Sequence, residues 1–161
     1  MTRWSAPLRC LLGFAALGAG LIHLALAIGA PTWLAAALVV AGGAEFLWGV
    51  LVVSRPGVPV PRLAIAGAMV PIAAWVVLLL VGVADGPRVV PMLGATALDL
   101  TVAIGLAIGM RRAPGGEPRH PLVRIAVAGA LVAAITVPAL IATEAPQRIG
   151  DLPAHDEPVH E

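Results

Sequence analysis

The chain contains no lysine, no asparagine and no tyrosine, so all ten of its basic side chains are arginine. Its single cysteine, Cys10, excludes an intrachain disulfide framework and reads as a small apolar helix residue rather than a reactive thiol. Charge is scarce: Asp, Glu and Arg make up 12% of the 161 residues, where a soluble domain carries about 25%. A formal net charge of +1 gives no electrostatic case for a nucleic-acid partner. Also missing are a phosphate-binding loop, a nucleophile with its base, and a polar stretch large enough for a soluble catalytic domain. Those absences favour a transport, ion-handling or complex-subunit protein over an enzyme.

What is abundant is apolar side chain, 60% of the total. High apolar content with low charge points to lipid as the surrounding solvent. A helix needs roughly 20 apolar residues to cross a hydrocarbon layer about 30 Å thick. Stretches 9–30, 32–53, 62–84, 89–110 and 122–143 reach that length. Turn formers separate them: APT at 30–32, SRPGVPVPR at 54–62, ADGPR at 84–88 and RRAPGGEPRHP at 111–121. In lipid each backbone amide must be paired within its own segment, so the runs predict helices. The expected fold is all-α, a five-helix transmembrane bundle over residues 1–143. Pro71 and Pro138 fall inside helices and predict bends; Pro91 falls in a first turn, where it is tolerated.

Arg3, Arg9, Arg55, Arg62, Arg111, Arg112, Arg119 and Arg124 border one side of the predicted membrane, and Arg88 and Arg148 the other. Basic residues concentrate on the cytoplasmic side, so the N-terminus is expected in the cytoplasm and the C-terminus outside. Trp4 and Trp33 mark the two ends of the first hairpin, at headgroup depth. A rival reading makes the first helix a cleaved signal peptide, with Ala25-Leu26-Ala27 as the small-x-small site. Its apolar run is longer than a signal core, which favours a retained span.

Three ionisable residues interrupt the most apolar runs: His23 in AGLIHLALA, Glu45 in VAGGAEFLWG and Asp99 in GATALDLTVA. A charge at the bilayer centre costs about 2.5–3.5 kcal/mol on insertion scales. At a rise of about 1.5 Å per residue, Asp99 falls near the midplane, His23 about 5 Å toward the outside and Glu45 about 4 Å toward the cytoplasm. One turn either side stand Ala19 and Ala27, Ala41 and Gly49, and Ala95 and Ala103. All are small, as close helix packing requires, so the polar faces should point into the bundle. Gly105 and Gly109 form a further GxxxG packing site. The residue types admit three roles: a hydrogen-bonded link between helices, a proton or cation relay, or a divalent-metal site of one imidazole and two carboxylates. Haem is disfavoured, since only one intramembrane histidine is present. Trp48 and Trp75 read as packing residues, and Thr96, Thr101 and Thr136 as bonding back to their own helices.

The last segment, 144–161, is acidic and Pro-rich without helical or strand period, and predicts a disordered tail. His155 and His160 with Asp156 and Glu157 could hold a divalent metal loosely, but a solvated acidic tail is the better account of the composition.

AGLIHLALA, AGGAEFLWGVLVVSRP, AAWVV and ALDLTVAIGLAIG, spread over roughly residues 15–110, resemble a group of small multi-pass integral membrane proteins of high-GC bacteria. In that group a first-helix histidine recurs, which corresponds to His23, and a glutamine often stands near the place of Glu45. The resemblance implies the bacterial cytoplasmic membrane and no established activity. Beyond the bilayer, a homo-oligomer or a larger membrane complex fits such a chain, with the polar cluster then serving helix packing in an accessory subunit.

Overall fold

The computed structural model describes residues 4–80, 88–111 and 121–150, with the backbone alone for 121–125 and 144–150. Among these residues five helices follow one another: α1 (Ala6–Ala27), α2 (Thr32–Ser54), α3 (Pro61–Leu80), α4 (Val89–Arg111) and α5 (Pro121–Gly150). Each has a proline at or close to its start. Pro7 opens α1, Pro31 caps α2, Pro61 and Pro121 begin α3 and α5, and Pro91 sits in the first turn of α4. Proline's fixed φ suits a first turn, where its missing N–H has no intrahelical acceptor to serve.

All five are long and apolar enough to cross a membrane. They are apolar around their whole circumference, unlike surface helices of a soluble protein. Val40 is 72% exposed, Leu63 68% and Ile141 63%, an outer surface suited to hydrocarbon and not to water. This is the architecture of a multi-pass membrane protein.

α1 begins three residues earlier than expected, and two helix C-termini also differ. α1 stops at Ala27 because Gly29 takes the left-handed conformation, φ 70°, and the Ile28 N–H turns back to the Ala25 carbonyl. α5 runs to Gly150, so residues 144–150, read from composition as the start of a disordered tail, are helical. A helix already nucleated extends by one bond per added residue, which composition alone does not register.

α1 is the central helix. It packs most extensively on α2 and also along α4 and α5. Its buried face carries Leu12, Ala15, Ala16, Ala19 and Ile22, against Ala95, Leu98, Val102 and Leu106 of α4. α3 packs on α4 but touches α2 only slightly, which leaves a seam between α2 and α3.

The ends of the bundle are defined by two arginine contacts. Arg9 donates to the Arg55 carbonyl at 2.6 Å, joining the start of α1 to the end of α2. Arg88 donates to the Gly29 carbonyl at 2.8 Å, at the opposite end. Trp4 lies against Gly109, so the end of α4 shares the first of these ends. Among the described residues Arg9, Arg55, Arg62 and Arg111 thus gather at one end, away from Arg88.

Candidate intramembrane ion site

α1 and α2 approach through glycine. A Cβ placed on Gly42 would lie 2.7 Å from the Gly20 carbonyl oxygen and 3.0 Å from the His23 Cβ, and one on Gly49 would lie 2.8 Å from the Gly13 carbonyl oxygen. Both pairs are seven residues apart on their helices, so the same stripe meets twice with the backbones in contact. This close approach sets His23 opposite Glu45. The His23 Nδ1 donates to Glu45 Oε2 at 2.8 Å.

Asp99 joins from α4. Its flanking residues Ala95 and Ala103 are buried, as are Ala19 beside His23 and Gly49 beside Glu45. Ala27 and Ala41 are half-buried. GxxxG packing is also present: Gly105 lies on Leu12 and Gly109 on the Trp4 ring. One ligand atom each from His23, Glu45 and Asp99 all lie within 4.8 Å of one another.

That convergence is tighter than axial rise suggests, since rise alone separates His23 from Glu45 by about 9 Å. The difference lies in side-chain direction. Helical side chains lean toward the N-terminus of their own helix. α2 and α4 both run antiparallel to α1, so the imidazole leans one way along the bundle and both carboxylates lean the other. The offsets close.

His23 is fully buried, Asp99 is 2% exposed, and the Glu45 side chain is 12% exposed. Beyond the single His23–Glu45 bond, His23 Nε2, Glu45 Oε1 and Asp99 Oδ2 are buried without a hydrogen-bond partner. The cluster therefore offers one nitrogen and two oxygens that nothing else in the described residues satisfies. Imidazole with carboxylate suits zinc, manganese or iron. The same atoms also accept protons.

Glu45 and Asp99 border a cleft of about 740 Å³ between α2 and α3, which Trp48, Gly67 and Pro71 also line. Trp48 reads from sequence as packing alone. In the structure its Nε1 donates to the Pro59 carbonyl at 3.1 Å, which holds the indole on the cleft wall. A smaller cavity of about 120 Å³ continues the seam toward Trp75 and Arg88.

Thr101 bonds back to the Ala97 carbonyl at 2.8 Å, as its type predicts. Thr136 does not. Its hydroxyl faces Gly18 of α1 and has no partner, because α5 packs there against a glycine that leaves room for the side chain. The tail residues His155, Asp156, Glu157 and His160 lie outside the described residues. No family model, curated protein or solved structure matches the chain.

Proposed function

We propose that the protein is an ion-handling integral membrane protein whose His23–Glu45–Asp99 cluster binds protons and releases them in exchange for a cation. The observation that carries this reading is the convergence of the three groups within 4.8 Å inside an apolar bundle. Two acids face one base. With the imidazole neutral and both carboxylates ionised the cluster would hold two uncompensated negative charges, which a hydrocarbon-enclosed site disfavours strongly. Two protons, or one divalent cation, make it neutral.

In the same reading the arginine-rich end faces the cytoplasm, the membrane is the bacterial cytoplasmic membrane, and α1 is retained in the mature protein. α1 carries the imidazole and is the helix on which α2, α4 and α5 pack, so cleavage would remove the centre of the bundle. The resemblance read from the sequence would put a recurring first-helix histidine at His23. The tail histidines and acids are a second, weaker place for metal.

The test is proton counting. Zn²⁺ is added to the full chain in weakly buffered detergent, alongside a Glu45→Gln/Asp99→Asn variant that keeps the tail and so supplies its background. The wild type should release protons in excess of the variant, with metal retained after desalting. Equal release and no retained metal would refute the reading.

A second reading has one observation in its favour: the 2.8 Å His23–Glu45 bond lies across the α1–α2 interface, where it could serve as a helix link in an accessory subunit. It predicts that His23→Ala lowers yield or breaks a complex with no ion-specific effect. The ion-handling reading predicts a folded protein with lost cation-driven proton release.

A further inference from the structure

We propose that the cleft between α2 and α3 binds a hydrophobic organic cation, its positive charge meeting Glu45 and Asp99 at the floor and its apolar body lying between the helices. The inference names a substrate class for the same cluster and rests on that cluster exchanging positive charge for protons.

Size and chemistry both point this way. The cleft holds about 740 Å³, within the roughly 300–1,000 Å³ of ordinary ligand pockets. Its mouth is formed by Val40, Leu63 and Val70, each strongly exposed on the outer surface of the bundle. The way in is therefore through hydrocarbon. Such walls favour a cation that spreads its charge over an apolar frame.

Charge complementarity selects the sign. Among the described residues two acidic side chains line the cleft and no basic one does. Asp99 is almost wholly buried with Oδ2 unpartnered, and Glu45 Oε1 is likewise unpartnered. An anionic lipid headgroup would meet two like charges there. Trp48 stands one turn from Glu45 on the same wall, and an indole attracts a nearby cation. The opposite wall adds an acceptor: Pro71 has no N–H to donate to the Gly67 carbonyl, and both residues line the cleft.

The titratable groups that face Asp99 are His23 from α1 and Glu45 from α2. Among the described side chains α3 contributes only Arg62 and α5 none, and Arg9, Arg62 and Arg111 sit at one end of the bundle.

The experiment uses tetraphenylphosphonium, whose charge is permanent, in equilibrium dialysis against the full chain in detergent. The wild type should bind it saturably. Glu45→Gln and Asp99→Asn should each weaken it by about tenfold or more, as loss of a buried charge partner does. Gly67→Leu supplies a control on the cleft itself. A Cβ at Gly67 meets nothing within 4 Å, so a leucine side chain has open space to start from in the cleft, and binding should fall by at least about tenfold. Binding that ignores Gly67→Leu, or that the neutral triphenylphosphine oxide matches, would overturn the proposal. Absence of phosphonium binding while Zn²⁺-driven proton release persists would overturn it and leave the ion-handling reading standing. Loss of both would remove both.

Discussion

His23 and Glu45 form the one hydrogen-bonded link in the cluster, and their energetics can be read separately from any ion. Intramembrane polar contacts are worth about 0.6 kcal/mol on average and up to about 1.7 kcal/mol, because the alternative state also finds partners. The His23–Glu45 pair is short, buried on one side and flanked by glycine-mediated backbone contact, so it belongs at the upper end. A double-mutant cycle with His23→Leu and Glu45→Gln, read by unfolding in detergent, should return a coupling of roughly 1–1.7 kcal/mol. Additive effects would show that the two side chains do not interact. The identity of these three residues is legible in the sequence because, with Arg9, Arg62 and Arg124 standing only at the ends, they alone are ionisable in the interior of the apolar runs. Their direct contact is not, since depth along the membrane was the only coordinate available. The lean of side chains toward their own N-termini supplies the missing distance, and it depends only on helix direction. The Thr136 hydroxyl shows the opposite limit: nothing local marks the space that Gly18 leaves for it.

At the scale of the helix, the α1–α2 pair is held by two glycine contacts that differ from neighbouring glycines in what surrounds them. A methyl group at Gly42 would push on the Gly20 carbonyl oxygen, which is backbone and cannot move aside, while at Gly43 it would meet nothing within 4 Å. Gly42→Ala should therefore destabilise the protein by about 1–3 kcal/mol, as overpacking does. It should also weaken cation-driven proton release by prising His23 from Glu45. Gly43→Ala should stay within about 0.5 kcal/mol of wild type, as substitutions clear of packing do. Thermal unfolding of the two variants side by side checks the pair, and equal effects would contradict the packing described. The five helices themselves were readable from length and apolarity. The end of α1 hangs on one left-handed glycine, Gly29, and the end of α5 on propagation from an existing helix. The Gly13–Gly49 and Gly20–Gly42 pairs could have been found from their matching seven-residue spacing on antiparallel helices. The α2–α3 cleft could not, because it depends on which helices fail to touch.

For the whole molecule, the account requires five spans with the arginine-rich end toward the cytoplasm. Reporter fusions after Arg55 and after Arg111 should report cytoplasmic ends, and a fusion after Leu80 the outside. A reversed pattern would contradict the orientation while leaving the bundle intact. The intact mass of the purified protein should include α1; a mass lacking it would remove His23 and with it the ion site. The central claim is that an apolar bundle encloses two acids and one base, which together hold exchangeable positive charge. In metal-free protein at neutral pH, neutrality then requires at least one of Glu45 and Asp99 to carry a proton, whichever way the imidazole is charged. Infrared spectroscopy detects that proton as the C=O stretch of a carboxylic acid, separate from the ionised carboxylates of solvated residues. The account predicts such a band in the wild type, lost reversibly when Zn²⁺ binds and absent from the Glu45→Gln/Asp99→Asn variant. A folded wild type with no such band, or a band that survives both substitutions, would contradict it.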